Sequence, residues 1–478
     1  MMMVLVQAAM AASVSVSPGD DLAALTSSLG PSDIVIFQDG VYELTDTLVI
    51  EALGEEAEGM GIELIAQEDT TPVLKSVEGD TVFELRNSAF VTIRGLTFAG
   101  NDTWEEEGGN GVVLRDSTDI TFTDNHIQNV RQTLLRIDGD GSNYVVRNNL
   151  LEFSSDGSGM YIGCFDGACW LQDSVIEQNL IRELISESDR YGIILENGCQ
   201  ANRIQDNVIY NVTGHGIRVE DTQLGDPNWV ERNALWNGEN DALQIDGASR
   251  VRNNLAFEWG GYGIRSRPQD GDLSDTVISY NTIALTDDWA VRLEDWPNRE
   301  GMVFSSNVIA NITGRGLLYD NDLGEEELDE TTYFTNNVVS GFVDGIDPAL
   351  YPGWFTPGAG TADFENVESW DFYPVDQSDL VGNADPDGNS WIPEVDFNGI
   401  ARNGAAPTIG AYEWEGGGGN PGWIPQEDFK DLTASSGNNT TQVGGGGCCG
   451  NNNTEDGTEA LLLLPLLAFG LRRRRQDR

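Results

Sequence analysis

The sequence predicts an all-β fold: one solenoid, a parallel β-helix of about nine or more stacked coils, with a short N-terminal capping helix. Two patterns carry this. Between Ile120 and Val339 an asparagine followed by apolar residues recurs as DNHI, NNLL, QNLI, DNVI, RNAL, NNLA, YNTI, SNVI and NNVV. The asparagines are Asn125, Asn149, Asn179, Asn207, Asn233, Asn254, Asn281, Asn307 and Asn337, about 26 residues apart. A unit of that length cannot bury its own apolar face and must stack on its neighbours. Between these motifs runs a second signature, a small residue followed by alternating apolar and polar positions, as in GVVLRD, GIILEN, GIRVED, DALQID and AVRLED. Period-two alternation with one face buried is a strand pattern. Recurring once per coil, the asparagines are expected to form a ladder of amides bonded from coil to coil, which is a structural role.

In chain order, residues 1–12 form a short apolar stretch ending in Ala9-Met10-Ala11, which fits a signal-peptidase site despite lacking a positive first segment. A buried first strand is the alternative. Residues 13–50 hold the cap and first strands, and residues 51–415 the solenoid. After Glu415 the composition shifts to Gly, Asn, Ser and Thr, so 416–459 is expected to be a linker. Residues 460–478 combine the apolar run Ala460 to Leu471 with Arg472 to Arg475; twelve residues, Pro465 among them, are short for a permanent span.

Lys+Arg number 26 against 79 Asp+Glu, a net charge of −53 over 478 residues. That balance repels phosphate backbones and excludes nucleic acid as a partner. It also supplies many hard oxygen ligands, which suits a calcium-containing medium. Lys75 and Lys430 are the only lysines, so positive chemistry in the middle of the chain falls to arginine, histidine or a metal. Of five cysteines, Cys164, Cys169 and Cys199 share one region and are candidates for one disulfide, while Cys448 and Cys449 adjoin near the end.

Asparagine turns on coils 21 to 30 residues apart, with no intervening amphipathic helices, resemble the right-handed β-helix repeat family typified by pectate lyases, over residues 18–413. PGDDLAALTSSLGPSDIVIFQDGVYEL resembles that family's N-terminal module, a capping helix before the first strand. DFNGIARNGAAPTIGAYEW resembles its closing strand. The resemblance implies a right-handed coil and action on polysaccharide. Two departures stand: the lysine-containing strand motif of the lyases is missing, and so is the aspartate cluster of the polygalacturonases, Asp287-Asp288 being the nearest pair. Separately, Cys448 to Arg478 resembles the MYXO-CTERM sorting domain. That likeness implies display at the cell surface, membrane processing machinery as a partner, and Cys448 or Cys449 as the processed residue.

Counting from the small residue of each strand, positions two and four are expected to face solvent, stacked about 4.8 Å apart. Position two gathers Arg136, Arg218, Gln244, Arg265 and Arg292; position four gathers Glu196, Glu220, Asp246 and Arg267. One reading is catalytic. Glu196, Glu220 and Asp246 would hold calcium, while Arg218, Arg265 and Arg267 would neutralise a uronate carboxylate, and His215 would serve as the base. Arginine can be a base only where its pKa is strongly depressed. Tyr191, Tyr262 and Trp289 precede their strands as His215 does and would stack on sugar rings; Arg136, Gln244 and Arg292 would add substrate contacts. The acidic loops PQDGDLSD and LGEEELDE would wall the groove. This makes a monomeric, secreted or surface-anchored protein that binds polysaccharide and cleaves an acidic glycan by β-elimination. The other reading makes the columns salt-bridge ladders of a non-catalytic adhesin or stalk. His126, in a repeat turn, is read as structural.

Overall fold

The computed structural model describes residues 13–432 except 31, 52–60, 80, 102–107, 165–168, 186–189, 221–224, 269–272, 321–331, 386–390, 403–406 and 417–418. The 1–12 segment, Cys448, Cys449, the 460–478 tail, half of the loop PQDGDLSD and all of the loop LGEEELDE therefore lie outside the described residues.

The chain winds as a right-handed parallel β-helix of about ten turns. Each coil contributes three short strands, for instance Val145–Arg147, Leu150–Ser154 and Met160–Ile162. The first strands of successive coils form a 15-stranded sheet, while the second and third form two ladders of a 23-stranded sheet. Pairing is parallel and in register, so like positions of successive coils form columns. The capping helix, Leu22–Thr26, starts at Asp21, whose side chain accepts from the Ala24 N–H at 3.0 Å, and it packs against Leu48–Glu51.

Inward positions fill the solenoid with Ile, Val, Leu and Phe. Phe83, Phe98 and Phe122 continue from coil to coil with centroids 5.5 and 6.1 Å apart. The sharp turn between first and second ladders places a non-glycine residue in the left-handed region just before each ladder asparagine: Gln178 at φ 54°, Asp206 at 56°, Arg232 at 54°. What offsets that strain is the asparagine ladder. Asn207 is fully buried; its Nδ2 donates to Ile176 O at 2.9 Å and to Asn233 Oδ1 at 3.0 Å, and its own Oδ1 accepts from the Asn179 backbone N–H at 3.0 Å. The same pattern links Asn125 through Asn337, as the repeat predicted.

The C-terminal boundary differs from expectation. The last laddered strand is Phe355–Pro357, and the chain from 358 to 432 then runs back along the outer face of the second ladder instead of adding coils to residue 415. The reason is that outward positions of that ladder turn apolar from Leu180 onward. Tyr210, Trp236 and Phe257 stack there with centroids 4.8 and 5.6 Å apart, and Trp370 and Phe372 cover them. DFNGIARNGAAPTIGAYEW belongs to this strap: Arg402 donates to Asn253 Oδ1 at 2.7 Å, and Phe397 and Tyr412 are buried. The expected linker also begins packed, since Trp423 is buried and Lys430 donates to Asp206 Oδ1 at 2.8 Å and Phe397 O at 2.6 Å.

Candidate functional site

The third ladder aligns Arg136, Tyr161, Ile194, Arg218, Gln244, Arg265 and Arg292 in one outward column. Three residues earlier in each coil a second column forms, with Tyr191 opposite His215 and then Asp241, Tyr262 and Trp289. Sequence reasoning thus placed its candidates on one face. Their exposure needs correcting. Arg218, Gln244, Glu196, Glu220 and Asp246 are buried, at 8%, 2%, 5%, 9% and 2%, whereas Arg136, Arg265, Arg267 and Arg292 are half-buried. Charges can be buried here because opposite charges on adjacent coils lie within bonding distance.

One cluster surrounds Arg218. Its Nε lies 3.1 Å from Asp246 Oδ2, its Nη2 lies 2.7 Å from Glu220 Oε1, and its Nη1 donates to the Tyr191 hydroxyl at 2.9 Å. Gln244 Nε2 donates to the same Asp246 Oδ2 at 2.8 Å, and Arg267 Nε lies 3.7 Å from Asp246 Oδ1. Tyr161 donates its hydroxyl hydrogen to Glu196. Burial first, and then a hydrogen bond with Glu196, push Glu220 up to about 8. Burial pulls Arg218 down, but Asp246 and Glu220 outweigh it and hold the guanidinium above its ordinary value. Arg218 is held as a source of positive charge on this face. Calcium requires several converging oxygens at about 2.3–2.6 Å. Glu196 instead meets a phenol, Glu220 a guanidinium, and Asp246 a guanidinium and an amide, so this donor set does not fit the ion.

The second cluster surrounds His215, whose ring stacks on Tyr191 at 5.5 Å and 19°. Its Nδ1 faces the Asp241 backbone N–H at 3.3 Å and Asp241 Oδ2 at 3.6 Å. Asp241 Oδ1 accepts from the Tyr262 N–H at 3.3 Å, and Arg265 Nη1 lies 3.9 Å from Oδ2. Burial raises Asp241 to about 6, against the pull of Arg265. Asp241 was missed by sequence reasoning, although DALQID places it in the column of Tyr191 and His215.

Toward the C-terminal end, Arg265 pairs with Glu294 at 2.6 Å and Arg292 with Asp320 at 2.6 Å, and both guanidiniums lie over the Tyr262 ring at 5.6 and 5.5 Å. Trp289 meets the exposed ring of Phe342 at 6.1 Å. Toward the N-terminal end, Arg136 lies over Tyr161 at 5.3 Å and 3.5 Å from Asp138. His126 is on the second ladder, 3.0 Å from Glu152. Cys164 and Cys169 form a disulfide, and Cys199 is a buried free thiol that burial pushes up to about 12. Among the described residues, the group whose ligand atoms gather as a metal would require is Asp138 with Cys164 and Cys169, two of which are joined to each other.

Fold and face together define a right-handed parallel β-helix with a charged, aromatic-lined outer ladder. Consistently, the family model described as "Right handed beta helix region" matches residues 80–256. No curated protein matches the chain. Among solved structures, pectate lyase Pel9A is 14% identical over 84% of this chain and 96% of its own, with a TM-score of 0.46. The A-module of a mannuronan C-5 epimerase from Azotobacter vinelandii is 16% identical over 68% and 90%, with a TM-score of 0.45. An alginate lyase from Paenibacillus sp. str. FPU-7 is 13% identical over 59% and 93%, with a TM-score of 0.41. Likeness at this level concerns the winding of the chain and leaves chemistry to the residues. No helix among the described residues is long and apolar enough to cross a membrane.

Proposed function

We propose that the outer face of the third ladder binds polysaccharide outside the cell and cleaves an acidic glycan by β-elimination, with His215 moving the proton. The observation that carries this is the His215–Asp241 contact, placed between Tyr191 and Arg265 on a column with further aromatics. Nδ1 accepts from the Asp241 backbone N–H at 3.3 Å; in the working state the ring carries its proton on Nδ1, turned to Asp241 Oδ2 3.6 Å away, which frees Nε2 to take the proton of the carbon acid beside a uronate carboxylate. Taking that proton makes an imidazolium, which the Asp241 carboxylate stabilises. The C–O bond then breaks and the imidazolium returns its proton to the departing oxygen, so the step balances without another reactant. Arg265 and Arg267 supply positive charge for the substrate carboxylate, Arg218 holds the Tyr191 hydroxyl, and Tyr262 and Trp289 offer ring faces to sugars. The Cys448 to Arg478 segment, through membrane sorting machinery, displays the protein at the cell surface.

The test incubates purified protein with alginate, polygalacturonate and chondroitin sulfate and follows the ultraviolet absorbance of unsaturated products alongside new reducing ends. Wild type should produce the chromophore, and H215A should lose at least about 100-fold in rate. Retention of glycan without either signal, unchanged in H215A, would replace cleavage by the adhesin reading. Reducing ends without the chromophore would replace elimination by hydrolysis.

A further inference from the structure

Deepening the reading of this face as the working site, we infer that the guanidinium of Arg218 is its built-in counterion. It fills the place between Glu220 and Asp246 that a divalent cation would otherwise take, so the face works without a bound metal. Three observations converge. All three guanidinium nitrogens are engaged, Nε with Asp246, Nη2 with Glu220 and Nη1 with Tyr191, at 3.1, 2.7 and 2.9 Å. The remaining groups aimed at Asp246 are also N–H donors, Gln244 Nε2 at 2.8 Å and Arg267 Nε at 3.7 Å, and these repel a metal ion. Third, Arg218 is buried along with both carboxylates, so water does not screen the pair and exchange for a hydrated cation requires desolvating that cation. A forked guanidinium suits this place because its three nitrogens meet carboxylates on two coils and the hydroxyl of a third.

The test uses calcium alone, with no glycan, so its result is independent of whether cleavage occurs. Wild-type crystals soaked in millimolar calcium are examined for anomalous scattering, and melting is compared in calcium and in chelator for wild type, R218M and R218K. Acidic patches elsewhere will give wild type some calcium-dependent stabilisation, so the difference between variants is what matters. The expected result is no ion between Glu220 and Asp246 in wild type, with the guanidinium in place. R218M should melt lower than wild type in chelator and gain more from calcium than wild type does, while R218K, which keeps the charge, gains no more than wild type. An ion held by Glu220 and Asp246 in wild type with Arg218 swung away would overturn the inference. So would a folded R218M whose calcium gain only equals that of wild type. If R218M does not fold, the wild-type soak decides alone.

Discussion

Asp241 is a carboxylate whose charge costs stability. Burial raises it to about 6 from an ordinary value of 3.8, so across pH 4 to 6 the folded chain holds this proton more tightly than the unfolded chain. Its contribution therefore falls as pH rises through that window and stays unfavourable above it, by an amount of the order of 3 kcal/mol. D241N should melt higher than wild type at pH 8 and converge with it near pH 4, while glycan cleavage falls by at least about 100-fold. Melting curves across pH check the first part; a D241N advantage that did not grow with pH would refute this account of Asp241. Tyr191, His215, Arg218 and Arg265 were legible because strand alternation and a fixed repeat assign each a column. The burial of Arg218 and the Asp241 contact were not. They depend on which charge the next coil brings alongside, and coil lengths vary too much for sequence spacing to supply that pairing.

At the scale of elements, the asparagine ladder converts an unfavourable turn into a repeatable one. Replacing Asn207 by Ala leaves the Asn179 N–H, the Ile176 carbonyl and the Asn233 amide each short of a buried partner. At about 1–3 kcal/mol per unsatisfied group, N207A should cost about 3 kcal/mol or more, readable as a lower denaturant midpoint. Replacing half-exposed Arg203 should cost far less. The ladder could be read from sequence because its amide recurs in every coil. The strap of residues 358–432 could not, because it has no period and its apolar residues match those of the second ladder only once the chain has folded back. Its role is testable: a chain ending at Pro357 uncovers Tyr210, Trp236 and Phe257, whereas one ending at Leu432 retains every strap contact described above. The shorter chain should aggregate and bind an apolar dye, and the longer one should melt with the full-length protein. A monomeric, unchanged shorter chain would show that the strap is dispensable.

For the whole molecule, a net charge of −53 makes electrostatics the largest adjustable cost. Coils stack about 4.8 Å apart, well within the screening length of about 10 Å at 0.1 M salt, so acidic residues on neighbouring turns repel unless an arginine intervenes. With 79 acidic residues against 26 cationic ones, about three to one, most carboxylates lack one. Added sodium chloride should therefore raise the melting temperature, and more so at pH 8 than at pH 5, because Asp241, raised to about 6, and Glu220, raised to about 8, gain charge between those values. The same field acts on an approaching glycan. Arginines of the third ladder attract a polyanion only at short range, since Arg218, Arg265 and Arg292 are each matched by carboxylates, while the rest of the surface repels it. Binding of an acidic glycan should consequently hold steady or strengthen as salt rises from about 0.02 to about 0.2 M, the reverse of what a basic groove gives. Affinity measured at both salt levels decides the point: a steep fall would mean that the arginines govern long-range attraction, and a flat or rising affinity that their work is confined to the bound chain.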